Sequence, residues 1–94
     1  MIEEFTCRRS LDSSNIAMVD PHLPHVLCHS PDGFEWGYHG SGPSDLALSL
    51  ITYWFCKEMA RKHYHSYKAA FIAKLPHEGG ILKREDAEKF LGLV

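Results

Sequence analysis

The sequence predicts a small α+β domain, in which an antiparallel sheet of three to four short strands packs against two or three helices. Short apolar runs bounded by turn residues occupy the first forty positions, whereas longer runs with three-to-four spacing follow from Pro43 onward. Strands that precede helices along the chain are typical of an α+β fold. The 94 residues suffice for a single domain, 1–94, with one modest core.

Four segments have the composition of short strands. They are residues 2–9, 16–19, 26–28 and 34–38. In the first, Phe5 and Cys7 alternate with polar residues, which predicts that both side chains lie on the buried face. Asp20-Pro21 ends the second, and Ser30-Pro31-Asp32-Gly33 has the chemistry of a turn that leads into the fourth.

The first helix is expected to begin at Pro43, because proline suits the first helical position, with Gly42 as its N-cap. Asp45 then falls in the first turn, where a negative charge is favourable. Apolar residues cover most of the circumference of residues 46–55. A helix of this kind is usually buried on several sides, so we expect it to be the central helix, packed on the sheet and touched by the next helix.

A second helix is predicted over residues 61–75, with a break near residues 60–62 and a stop at Pro76. A single bent helix that runs through residue 75 is the alternative. Residues 81–82 either add a strand or pack on the core. A short last helix is predicted over residues 83–91, with Ala87, Phe90 and Leu91 facing inward.

Charge and cysteine content limit the classes of function. With 10 basic and 12 acidic residues the formal net charge is −2, which argues against a dedicated DNA-binding protein and against a nucleic-acid mimic. The three cysteines are odd in number and form no C-x-x-C pair, which fits reduced thiols in a cytoplasmic protein. All three lie in apolar runs, so we expect buried, inert thiols. The longest apolar run, residues 46–56, is too short to span a bilayer, so no membrane partner is expected.

The histidines invite a metal hypothesis that their setting does not favour. His22, His25, Cys28 and His29 have plausible ligand spacing, but prolines interrupt this run and leave it without a rigid frame. His63 and His65 point apart on a helix. We therefore predict no metal and no other cofactor.

Residues 37–42 form a glycine-rich turn that has two interpretations. Unpaired amides at the start of a helix can bind an anion, so the turn would bind a phosphorylated small molecule, with His39 and Ser41 assisting. Alternatively the turn is a tight corner whose amides are already bonded to Glu35 or Asp45. Glu35 could act as a general acid or base, but we favour a structural role in which its carboxylate accepts hydrogen bonds from the amides of the turn. G-S-G-P is not a G-x-S-x-G motif, and no catalytic residues are predicted.

Two groups of residues are candidate binding residues. Around the corner they are Glu35, Trp36, Tyr38, His39 and Ser41. The second group lies on one helical face, which either contacts phosphates or, as is commoner, is simply a solvated helix surface; it consists of Lys57, Arg61, Lys62 and Lys68.

A longer motif contains the corner. Residues 34–48 read F-E-W-G-Y-x-G-S-G-P-x-x-L-A-L and follow His29-Ser30-Pro31-Asp32-Gly33. This motif resembles the hallmark of a family of small proteins, a domain of unknown function found in bacteria and in phages or other mobile elements. His39 departs from it, since the family usually has glycine there. The resemblance implies a mobile-element setting and no reaction.

Together these observations predict a small, non-enzymatic, cytoplasmic protein that binds a macromolecule, a protein rather than a nucleic acid. The family setting gives a specific expectation: a phage-borne inhibitor of a host defence system, anti-CRISPR-like, that binds a host protein. The alternatives are a nucleic-acid-binding accessory protein that uses the basic helix face, and a binder of small phosphorylated molecules at the Gly37–Gly42 turn.

Overall fold

The structure is a computed structural model that describes residues 1–12, 14–26 and 33–93. Within these residues a three-stranded antiparallel sheet has the order β2-β1-β3. The strands are β1 (Glu4–Arg9), β2 (Ala17–Asp20) and β3 (Gly80–Lys83). The helices are α1 (Ser41–Trp54), α2 (Lys57–Tyr67), which continues as a π-helical segment (Lys68–Ile72), and α3 (Arg84–Phe90). The predicted α+β class is confirmed.

The sheet confirms the two predicted strands at residues 2–9 and 16–19. Residues 81–82, for which a strand was one of two alternatives, belong to β3. Cys7 pairs with Val19 of β2 on one side and with Gly80 of β3 on the other, so strands far apart in the sequence share one sheet. The prediction of a strand over residues 34–38 is wrong. The backbone at Gly37 instead donates a hydrogen bond to the carbonyl oxygen of Ile72, at 3.0 Å, so this segment is fastened to a helix end.

The third candidate strand lies mostly outside the described residues, which exclude Leu27 and Cys28. Val26 itself is not in a strand. Its amide donates to the hydroxyl of Ser49 on α1, at 2.8 Å.

Helix α1 is the central helix, as predicted. Every residue from Gly42 to Ile51 is buried. On one side it meets the sheet, where the ring of Phe5 lies 5.4 Å from that of Tyr53 and 5.9 Å from that of Trp54. On the other side it packs along α2. A helix that is apolar nearly all round can be stabilised by burial on both sides.

The helix boundaries differ from those predicted. Gly40, rather than Gly42, is the N-cap of α1, so the helix begins at Ser41. The break falls at residues 55–56, not at 60–62, and the alternative of one bent helix is wrong. Cys56 has an extended backbone, and its sulfur accepts a hydrogen bond from the amide of Met59, so it serves as the N-cap of α2.

Three side chains have a different environment from the predicted one. Lys68, expected on the solvated face, is buried, because the π-helical segment packs against α1 and directs its ammonium group to the Ser44 hydroxyl, at 3.0 Å. Phe90, expected inward, is 41% exposed, although its ring edge still contacts Phe71. Cys56, expected to be buried, is exposed because it lies at the break between two helices. Ala87 is buried, as predicted.

Candidate functional site

The glycine-rich segment forms a tight corner at the start of α1. A methyl group on Gly42 would lie 2.7 Å from the Cβ of Glu35, so only glycine allows the two chain segments to come this close. Gly37 has φ +86°, a conformation that other residues rarely adopt. The amide and the hydroxyl of Ser44 both donate to the carbonyl oxygen of Gly40, at 3.0 and 2.8 Å.

The carboxylates near this corner have side-chain partners that were not predicted. Asp45 is fully buried and lies 2.8 Å from Nε2 of His25. Glu35 pairs with Arg9 across 26 positions of sequence. The structure thus supports the interpretation of a corner but assigns Glu35 another partner.

Arg9, at the end of β1, joins three segments of the chain. Its Nη1 donates to the Glu35 carboxylate, at 2.9 Å from Oε1 and 3.0 Å from Oε2. Its Nε donates to the carbonyl oxygen of His77, at 2.8 Å. Its guanidinium carbon lies 4.5 Å from the centre of the Trp36 ring. Charge-assisted hydrogen bonds and a cation–π contact therefore act on one side chain that is only 11% exposed.

Trp36, a predicted binding residue, lies beneath the surface. Its side chain is 2% exposed and its indole nitrogen donates to the carbonyl oxygen of His77, at 3.0 Å. The same carbonyl therefore accepts hydrogen bonds from both Trp36 and Arg9. We conclude that Trp36 supports the site from below.

Three adjoining depressions surround Arg9 and Glu35. Their volumes are about 340, 420 and 430 Å³. The first two share Glu35 and Tyr38, the first and third share Arg9 and His77, and Asn15 lines the second and third. They therefore form one continuous concave surface, with Leu11, Ile16 and Tyr38 exposed along it, which we call the Tyr38 surface.

The described residues between β1 and β2, 10–12 and 14–16, supply one wall of this surface and form hydrogen bonds with one another. The Ser10 amide donates to the Ile16 carbonyl oxygen, at 2.9 Å, and the Ile16 amide donates to the Ser10 hydroxyl, at 3.0 Å. The side chain and amide of Ser14, together with the Ser10 hydroxyl, donate to Asp12 and hold the pKa of its carboxyl below the usual range. Leu11, which lies between the hydrogen-bonded residues Ser10 and Asp12, is fully exposed.

The structure brings some of the predicted site residues together and separates others. Glu35, Trp36, Tyr38 and Ser41 all line the Tyr38 surface. His39 is exposed on the neighbouring bend but does not line these depressions. Lys57, Arg61 and Lys62 are exposed on α2, and Lys68 is buried away from them.

Arg9, Leu11, Ile16 and His77 were missed by the sequence analysis. A usable signal existed for Arg9. The alternation that places Phe5 and Cys7 inward also places Arg9 inward, and a cation on the buried face needs a partner.

The Cys7 thiol is buried, whereas the Cys56 thiol is free and exposed. Burial raises the pKa of Cys7 to about 12, partly offset by the nearby Arg9, so this thiol stays protonated and a poor nucleophile. Within residues 1–12, 14–26 and 33–93, no three His, Cys, Asp or Glu side chains are placed to hold a metal; His29 and Cys28 lie outside these ranges. No helix in the described part of the chain is long and apolar enough to cross a membrane.

A family model matches almost the whole chain. It is described as a family of unknown function (DUF6166), and it covers residues 5–92. Neither the curated proteins nor the solved structures include a match to this chain.

Proposed function

The chain belongs to the DUF6166 family, and we propose that it is a non-enzymatic binding protein that recognises a partner protein through the Tyr38 surface. One observation carries this proposal. Leu11, Ile16 and Tyr38 expose 102%, 58% and 50% of their surface along one concave face whose frame is fastened by hydrogen bonds.

Exposed apolar side chains around a concavity are what a protein partner can bury. Single exposed apolar residues are common on any protein, but groups of them rimmed by polar residues mark interaction sites. Tyrosine is among the residues that dominate binding energy in interfaces, because it combines a large apolar ring with a polar end. Tyr38 lies between two of the depressions and can anchor a partner in this way.

The rigidity of this surface also favours binding. Ordering a loop on association costs free energy, and a loop that is already ordered avoids that cost. Hydrogen bonds among the described residues 10–12 and 14–16 hold one wall, and the Arg9 contacts hold the floor. The surface can therefore dock without first being rearranged.

The same geometry weighs against catalysis and against binding of a phosphorylated small molecule here. Both oxygens of Glu35 face Nη1 of Arg9, which gives this carboxylate a structural partner. Glu35 also lines the second depression, which Arg9 does not line, so an anion there would meet a carboxylate.

The resemblance of residues 34–48 to a motif of phage and mobile-element proteins supports a more specific proposal. A short chain with a preformed docking surface suits an inhibitor that blocks a host defence protein, such as a CRISPR effector, by binding it. Such an inhibitor would act in the cytoplasm, whose reducing environment fits a chain with an odd number of cysteines and no C-x-x-C pair.

Affinity capture from a lysate of the bacterial host, with and without nuclease, tests this function. We expect the wild-type chain to retain one stoichiometric protein after nuclease treatment, and the double variant Leu11→Ser/Tyr38→Ser to lose it. The matched control is Ile81→Ser, which removes a side chain of similar exposure, 52%, from β3. Equal capture by all three proteins would reject the Tyr38 surface as the binding site. Loss of every partner on nuclease treatment would reject a protein partner.

A further inference from the structure

We propose that the exposed face of α2 is a second binding surface, which contacts the phosphate backbone of a single-stranded nucleic acid. It shares no residue with the Tyr38 surface, so the two surfaces can be tested separately. We define the α2 face by Lys57, Arg61, Lys62 and His65, all of which are exposed.

Basic residues are concentrated in this part of the chain. Residues 57–75 contain five of the ten Lys and Arg residues but only one of the twelve Asp and Glu residues. The remainder of the chain is therefore strongly acidic, although the whole carries a net charge of only −2. A segregated positive region of this kind attracts polyanions even when the net charge is negative.

The basic residues form a regular row. Lys57, Arg61 and His65 follow one another at four-residue spacing, so they lie on one side of the helix with a rise of about 6 Å between neighbours. Lys62 lies beside this row, and so does Glu58. Among the described residues no carboxylate lies within ion-pair distance of Lys57, Arg61 or Lys62, which leaves these cations available to a ligand.

A pair of stacked rings adjoins the row. The rings of Tyr64 and His65 lie 4.2 Å apart at an interplanar angle of 30°. Sites for single-stranded nucleic acid combine a positive track for the backbone with aromatic rings on which bases stack. An acidic protein segment would use the cations but would gain nothing from a stacking platform, so the ring pair favours a nucleic acid.

The expected affinity is low and strongly dependent on salt. Only three lysine and arginine residues would contact phosphates, and Glu58 and the acidic remainder of the chain would repel them. We therefore expect a dissociation constant of about 10⁻⁴ M near physiological salt, which is the weak end of non-specific binding. Each backbone contact contributes about 0.7 to the slope of log affinity against log salt for a single strand.

Fluorescence anisotropy with a labelled oligothymidylate of about 20 nucleotides tests this proposal over about 50–200 mM salt. We expect binding at low salt that weakens as salt rises. The double variant Lys57→Gln/Arg61→Gln should lower the slope by about 1.4 and weaken binding about tenfold at low salt. The matched control Lys83→Gln/Lys89→Gln removes the same charge from β3 and α3 and should leave both quantities unchanged.

Three results would overturn the α2 face as a nucleic-acid surface. They are the absence of binding at low salt, equal loss in the α2 variant and its control, and binding of polyglutamate with none of the oligonucleotide. The last result would identify an acidic protein as the partner. Far-ultraviolet circular dichroism confirms that each variant is folded. Because these variants leave the Tyr38 surface intact, capture of a protein partner should survive in both of them.

Discussion

Replacing Arg9 by methionine should destabilise the whole domain, because this side chain joins β1 to two distant segments. Methionine keeps the apolar stem of the side chain but removes its charge and all its donors. The Glu35 carboxylate then loses its cationic partner, and the carbonyl oxygen of His77 keeps only the Trp36 donor.

The size of the effect follows from the burial of the two partners. Arg9 is 11% exposed and Glu35 is 37% exposed, so solvent screens their ion pair in part. A hydrogen bond to a charged group contributes about 1.5–3 kcal/mol, here at the low end, and the contact with Trp36 adds about 0.5–1 kcal/mol. We expect a loss of about 2–3 kcal/mol in the free energy of unfolding, or about 10–20 °C in Tm.

The preceding residue is the control for this prediction. Arg8 lies on the outer face of the sheet in an ion pair with Asp20, and both side chains are nearly half exposed. Arg8→Met should therefore cost less than about 1 kcal/mol. Urea denaturation followed by circular dichroism measures both variants. An Arg9→Met variant no less stable than Arg8→Met would show that Arg9 does not anchor the site.

Three further predictions concern the corner, the core and the loop. Gly42→Ala should lower stability by about 1–2 kcal/mol in urea, because the contact with Glu35 outweighs the gain in helix propensity; a more stable variant would contradict the corner. Burial raises the pKa of Cys7 from 9.0 to about 12, so the unfolded chain ionises first, and the free energy of unfolding should fall above about pH 9 by up to about 1.4 kcal/mol per pH unit. The free energy of unfolding of Cys7→Ala should fall less than that of the wild-type protein over that pH range. An identical fall in both proteins would show that ionisation of this thiol does not cause it. Asp12→Ala should speed amide hydrogen exchange at Ser14 with little change in Tm, whereas unchanged exchange would show that Asp12 does not order the loop.

Local patterns predicted the parts of the fold that depend on local physics. Alternation in β1 located Phe5 and Cys7 in the core, and the apolar circumference of α1 indicated its central position. Both features follow from the local spacing of the apolar side chains, which are buried because burial removes them from water.

The features that were not predicted depend on contacts between residues distant in sequence or on changes in helical geometry. The hydrogen bonds of Arg9 span 26 and 68 positions, which no local pattern encodes. The outward prediction for Lys68 assumed a regular period, but the helix widens to π geometry at that residue and packs against α1. The break before α2 is capped by Cys56, a residue outside the usual capping set.

Amide hydrogen exchange of the complex with the captured partner is the most direct test of the proposed function. We expect slowed exchange in residues 10–12, 14–16, 35–38 and 41–42, which contribute to the Tyr38 surface, and unchanged exchange in β3 and α3. Protection confined to β3, α3 or the outer face of the sheet, with the residues of the Tyr38 surface unaffected, would show that the partner binds elsewhere.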